Sequence, residues 1–192
     1  MPEAETDPEE MILEAARRCY LADSIASTGM KEVAAAAGVA RSTLYRYFPG
    51  RDELLVATIK REMEELNEQI GRQLASYDQP ADLVVEGLII AIKAVPARPL
   101  LRAVFASDRD SRARRVIWSS DIIVGFGEEL MDDVIRPARD AGVLQDSVRP
   151  EILVEWVYRL LLSFLTLPSN WIKSDAQLRT TLHALLVPVL LK

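Results

Sequence analysis

Met30-Lys31-Glu32-Val33-Ala34-Ala35-Ala36-Ala37-Gly38-Val39-Ala40-Arg41-Ser42-Thr43-Leu44-Tyr45-Arg46-Tyr47 is the stretch on which the fold turns. It reads as two short helices, 30–37 and 40–47, divided by Gly38, a residue that enters the left-handed region without steric cost. Val33, Ala37, Val39 and Leu44 are apolar at positions that meet if the two helices pack across a sharp turn. Ala34 and Gly38 are small where those helices approach most closely. This is the requirement of a helix-turn-helix, whose second helix must be held stiffly to enter the major groove of DNA. The outward side chains of that helix are then Arg41, Ser42, Thr43, Tyr45, Arg46 and Tyr47. An arginine pairs with a guanine edge, hydroxyls bond bases or phosphates, and a tyrosine bonds phosphate through its OH.

Charge agrees with this placement. From Met30 to Arg61 there are six bases (Lys31, Arg41, Arg46, Arg51, Lys60, Arg61) and three acids, inside a chain whose net charge is −6. A nucleic-acid surface on such a chain must be a local patch, and the basic window coincides with the helix-turn-helix.

Outward from this motif the pattern stays helical, with no convincing alternating strand. Asp7-Pro8-Glu9-Glu10 predicts a capped start to a first helix, with Ile12, Ala16, Cys19 and Tyr20 on one face. Pro49-Gly50 stops the second short helix. A helix from about 52 to 74 then carries Leu55, Ile59, Met63, Leu66, Ile70 and Leu74 on one stripe. After Asp78-Gln79-Pro80, residues 82–95 are apolar on nearly every side, which predicts a central helix ended by Pro96 and Pro99. A short helix near 99–106 and a charged connector, 108–112, precede a predicted helix over about 111–139, with Gly125 and Gly127 marking a bend or a close approach. Gly142 reads as a helix end and Pro150 as the start of a helix reaching Leu167. Ser174-x-x-Gln177 reads as a capping box before the last helix. The expected fold is all-α with about nine helices.

Composition bounds the chemistry. The 192 residues are 49% apolar and 27% charged, a globular balance. One cysteine, Cys19, excludes an intramolecular disulfide and a cysteine-based zinc site; it reads as a small buried apolar residue. The one histidine, His183, reads as a packing or interface residue on the last helix. No cofactor, metal or catalytic residue is expected, because a second histidine-like base and a Gly-rich phosphate loop are both missing. Residues 1–14 carry six acids and no base, unlike a signal peptide, and residues 152–167 are too short and too charged, with Glu155 and Arg159, to span a membrane. The expected location is cytoplasmic.

The run Ala36 to Phe48, with Thr43-Leu44-Tyr45-x-Tyr47-Phe48 at its fixed offset from Ala37-Gly38-Val39 and followed by Arg51-Asp52-Glu53-Leu54-Leu55, resembles the DNA-binding domain of the tetracycline-repressor (TetR) family. The resemblance implies a three-helix DNA-binding domain over residues 7–66, its helix-turn-helix at about 28–47, and an effector-binding and dimerisation domain over 67–192. It implies DNA contacts at Lys31, Arg41, Ser42, Thr43, Tyr45 and Tyr47, and a phosphate anchor at Arg51, where the family usually has lysine. Ser24 stands where the family usually has a glycine, and Gly29 where a threonine is common; Thr28 or Ser27 is then expected to cap the second helix.

The apolar helices of the second half exceed what one small core needs, and a ligand cavity and a dimer interface are the two demands that would consume the surplus. The resemblance implies both, with the last two helices forming a four-helix bundle with their twins. The interface stripe expected is Leu178, Leu182, Leu185, Leu186 and Val189, with Leu161 and Leu165, and the Glu155–Arg159 pair at or near it. The lining of an effector pocket is expected at Leu88, Ile92, Trp118, Ile122, Phe126 and Trp156, chosen for size and central position, although ordinary core is an equal account of each. The expected protein is a ligand-responsive repressor: a homodimer that binds a palindromic operator in double-stranded DNA and releases it on binding a largely apolar small molecule, with no membrane involvement. A dimer of this fold that has lost DNA binding, and an all-α enzyme using the cavity, remain as alternatives.

Overall fold

A computed structural model describes residues 7–105, 111–120, 125, 135–136, 138–147 and 149–192. Ten helices are present among them: α1 Pro8–Asp23, α2 Met30–Ala37, α3 Arg41–Tyr47, α4 Arg51–Leu74, α5 Pro80–Ala97, α6 Pro99–Phe105, α7 Ser111–Trp118, α8 Pro150–Thr166, α9 Asp175–Leu185 and α10 Val187–Leu190. The extended pairing among the described residues is a single bridge between Leu144 and Leu191. The fold is all-α.

The predicted helix starts are realised where a side chain or a proline can serve the free amide groups. Asp7 accepts from the Glu9 amide at 3.0 Å, with Pro8 at the first helical position. Ser174 accepts from the Gln177 amide, while the Gln177 side chain reaches back one residue further, to the Lys173 amide. The α1 face is buried as expected at Ile12, Ala16 and Tyr20, with Cys19 half-buried. The whole α4 stripe from Leu55 to Leu74 is buried.

Three local expectations are corrected. Neither Ser27 nor Thr28 caps α2: their hydroxyls donate backwards, to the carbonyls of Asp23 and Ser24, and Gly29 takes the cap position with no side-chain bond. Pro96 does not end α5, which runs through it to Ala97, because a proline in the last turn removes only one intrahelical bond. The helix expected over 111–139 is interrupted: α7 ends at Trp118, and the hydroxyls of Ser119 and Ser120 donate to the carbonyls of Val116 and Ile117, competing with the helix. Gly125 is helical; Gly127 lies outside the described residues. At Gly142 (φ 69°) the amides of Val143 and Gly142 bond the carbonyls of Ala138 and Arg139, closing that segment with a left-handed turn as predicted.

α1, α2 and α3 gather at one end, and α4 leaves them to join the rest. α1 packs on both α2 and α4, and α5 packs on α4, α6, α8 and α9. α5 is the central helix, buried from Val84 to Ala91 at nearly every turn, including Glu86. Leu178, Leu182 and Leu186 turn into this chain's own core, and not outward as an interface stripe; Leu185 and Val189 are exposed. The Glu155–Arg159 pair lies on the surface (Nε to Oε1 2.9 Å), with the Arg159 guanidinium 5.7 Å from the Trp118 ring centre.

Candidate DNA-reading surface and apolar cavity

The turn between α2 and α3 is built on the backbone of Gly38, at φ 69° and ψ 24°. Its amide bonds the Ala35 carbonyl at 3.2 Å, and the Val39 amide bonds Ala34 at 3.1 Å, so the last carbonyls of α2 are satisfied inside the turn. Leu44, fully buried, pins α3 against the domain from its middle, and Phe48 is buried just past its end. With those anchors inward, Arg41, Ser42, Tyr45 and Arg46 are exposed, Tyr45 at 45%, and Thr43 and Tyr47 are half-buried. The Arg46 guanidinium lies 5.2 Å from the centre of the Tyr47 ring, which stiffens both. Lys31 is exposed on α2. Six of the seven residues expected to contact DNA thus reach solvent on or beside one short helix.

Arg51 is placed otherwise. Its guanidinium turns back onto the carbonyls of Ile25 and Ala26, tying the start of α4 to the α1–α2 connection. It lines a small cleft with Tyr20, Asp52 and Arg112, and the Arg112 guanidinium is 3.4 Å from the Asp52 carboxylate. A second arginine has no counterpart in the expected set: Arg18 of α1 bonds the Ala36 carbonyl near the end of α2 at 3.3 Å. Nothing in its spacing marks it, since it acts across helices.

The second half holds a partly open apolar cavity. Met63, Leu66 and Ile70 of α4 form one wall. α5 contributes a stripe from Leu83 to Val95 and α8 a stripe from Leu153 to Leu165, while Leu101, Phe105 and Ile135 lie at one part of the lining and Leu190 at another. Among the six residues expected to line a pocket, Leu88 does so. Ile92 is half-buried and off the cavity, and Trp118 and Trp156 are exposed at 42% and 40%. Ile122 and Phe126 lie outside the described residues. Leu161 and Leu165, expected at the interface, line the cavity instead. Large side chains fill space, so a cavity opens where small ones leave it: Gly87 and Ala91, four apart on α5, are the signal that size-based selection passed over. Tyr158 is the one lining residue among those described with a side-chain nitrogen or oxygen; its hydroxyl is buried without a hydrogen-bond partner, and burial pushes that phenol well above its usual range.

Residues 12–58 match the family model described as bacterial regulatory proteins, tetR family. Over that stretch the chain is similar to the DNA-binding part of TetR-family regulators. An HTH-type transcriptional regulator of Mycobacterium tuberculosis is 29% identical over 180 residues, covering 94% of this chain and 84% of that one. Among solved structures, the regulator FadR of Bacillus subtilis, in complex with stearoyl-CoA, shares the fold at TM-score 0.63 and 18% identity, covering 93% of this chain and 97% of its own. RolR in complex with resorcinol does so at TM-score 0.67 and 15% identity, covering 92% and 86%. The chain is thus similar to transcriptional regulators of the TetR family, and its described residues form an N-terminal helix-turn-helix and a helical C-terminal part. No helix among its described residues is long and apolar enough to cross a membrane.

The helix-turn-helix end and the cavity are joined by charge as well as by α4. Glu62 of α4, 3% exposed, accepts from Arg17 of α1 and lies 3.9 Å from Arg98, the residue between α5 and α6. Arg98 also bonds the Glu62 carbonyl, Glu65 at 3.2 Å and Gln69 at 3.1 Å. The short bond to Glu62 raises the Arg17 pKa further.

Proposed function

We propose that this chain is a homodimeric repressor that grips a palindromic operator with α3 of each copy and lets go when an apolar small molecule fills the cavity. The observation that carries this reading is the course of α4. Its first turn follows directly on α3, and Met63, Leu66 and Ile70, further along the same unbroken helix, are cavity wall. A ligand that alters the packing of that wall tilts the helix that positions α3, and two copies then lose the half-site spacing that a palindrome demands. The functional division falls within α4: residues 7–66 read DNA and 67–192 bind effector and partner.

Lys31, Arg41, Ser42, Thr43, Tyr45 and Tyr47 are the contacting residues in this reading, with Arg41 and Arg46 supplying charge. Arg51 serves as a brace within the domain rather than as a phosphate anchor. The bound stearoyl-CoA in FadR and resorcinol in RolR support a ligand-responsive role. The dimer uses α8 and α9 through the apolar side chains the monomer leaves exposed: Ile152, Trp156 and Leu167, with Leu185 and, on α10, Val189.

Selection of bound duplexes from a random DNA pool, at about 150 mM salt where screening suppresses weak contacts, tests the reading. The parent chain is expected to enrich a palindrome and Tyr45→Ala to lose it while remaining folded. No enrichment by refolded, ligand-free dimer would overturn DNA recognition. Leu185→Asp is expected to shift the chain to monomer in sedimentation and to weaken palindrome binding with it.

A further inference from the structure

The two long walls of the cavity have the same length and the same chemistry. The lining runs from Leu83 to Val95 on α5 and from Leu153 to Leu165 on α8. Each stretch spans twelve residue steps, which at about 1.5 Å per residue is roughly 18 Å. Midway along α5 the lining narrows to the small residues Gly87 and Ala91, between bulkier residues at either end. Among the described residues the lining carries no carboxylate, ammonium, guanidinium or imidazole, its one polar side chain being Tyr158, and Glu86, the buried carboxylate of α5, is engaged by Arg179 outside it. A charged group drawn into such a wall would lose its hydration with nothing in return.

The geometry points to an unbranched aliphatic chain as the occupant, with its polar head left outside the hydrocarbon slot. Carbon–carbon bonds near 1.5 Å advance an extended chain by roughly 1.3 Å each, so the slot takes about 14 carbons. This assignment rests on the ligand-responsive reading above and names the class of ligand for it. Compact aromatic molecules with several polar groups fit poorly, because a lining whose one polar side chain is Tyr158 leaves most of their polar atoms unpaired.

Titration of the full-length protein with three homologous series tests the assignment: straight-chain fatty acids, 1-alkanols and acyl-CoA thioesters of 8 to 18 carbons, each below its micelle-forming concentration. Each added methylene is expected to raise affinity about fourfold until the slot is full, near 14 carbons, and to leave it flat beyond. The slope is expected to be common to the three series, since the heads stay outside, while their absolute affinities report which head the mouth prefers. Ala91→Phe is expected to move the break to shorter chains while sparing the shortest; Val157→Phe, on the facing helix, makes the same prediction should the first variant fail to fold. Resorcinol and naphthol serve as aromatic probes. Their tighter binding, or an affinity without chain-length dependence, would overturn the aliphatic assignment while leaving a ligand-responsive regulator intact. Binding with the predicted slope but no effect on operator release would keep the assignment and overturn the reading it rests on. Absence of binding by any series would overturn the assignment.

Discussion

Ser24 adopts φ 89° and ψ 156°, a backbone conformation that is almost confined to glycine. The chain turns there from α1 toward α2, at the position where the family usually carries glycine. What holds the serine is local bonding: its hydroxyl meets that of Ser27 at 2.9 Å, and its carbonyl accepts from Thr28 at 2.8 Å. Ser24→Gly is expected to stabilise the chain by about 1 kcal/mol, the strain relieved exceeding the exposed bond lost, as read from urea unfolding; an unchanged or lower midpoint would refute the strain. The opposite sign holds at Gly38, where φ is 69° and a Cβ would meet open space. Gly38→Ala is expected to cost about 1–2 kcal/mol through backbone conformation alone, and to weaken DNA binding only as far as the fold is lost. Cys19 is half-buried, and burial raises its thiol pKa, which keeps it in the protonated form expected of a packing residue.

At the scale of elements, α4 is held at its middle by two different parts of the chain. Near α1 it is fastened through Glu62 and Arg17, near the α5–α6 corner through Arg98. Glu62 is the buried member, and its removal takes from Arg17 and Arg98 the carboxylate they share. Arg17 is more than a third exposed, so water screens much of this. Glu62→Gln is expected to destabilise the chain by about 1–2 kcal/mol in thermal unfolding. It is also expected to loosen α1 from α4 before the effector half opens, which amide exchange resolved by segment would detect. A uniform loss of protection across both halves would argue that the cluster serves overall stability and not the junction.

Over the whole molecule, α9 meets α5 through His183, whose Nε2 lies 3.4 Å from Asp82, and through two further ion pairs that share a dependence on pH. Arg179 grips Glu86 with two bonds, one of them 2.9 Å, and Lys93 bonds Asp175 at 2.6 Å. The Arg179 guanidinium holds Glu86 below its ordinary 4.5, and the Lys93 ammonium holds Asp175 below its ordinary 3.8. A carboxylate whose folded pKa is depressed contributes stability that is present above its unfolded value and is lost as pH falls through the folded one. The packing of α9 is therefore expected to weaken as pH drops below about 4.5, and Glu86→Gln to flatten that dependence. Stability followed by thermal melting from pH 3 to 7 checks it; a variant with the parent's acid profile would assign the loss elsewhere. Because α9 belongs to the proposed dimer face, dissociation in the same pH window is expected to accompany it.

Much of the helix-turn-helix was legible in residue order because its determinants are local. Gly38 sets the turn, Leu44 and Phe48 the inward face, and Arg41, Ser42, Tyr45 and Arg46 the outward one, all within a few residues of one another. The stripe on α4 and the start of α9 were legible for the same reason: a period of 3.6 and a capping serine act within two turns. What residue order did not settle depends on contacts distant along the chain. Arg51 points into its own domain because the carbonyls of Ile25 and Ala26, some 25 positions earlier, lie within its reach. Leu178, Leu182 and Leu186 were indistinguishable from Leu185 as interface residues until packing on α5 divided inside from outside. The cavity was the least legible feature, since it is defined by missing volume between α4, α5 and α8. Periodicity reports which face of a helix is apolar, and only the packed structure decides where the apolar faces fail to fill the space between them.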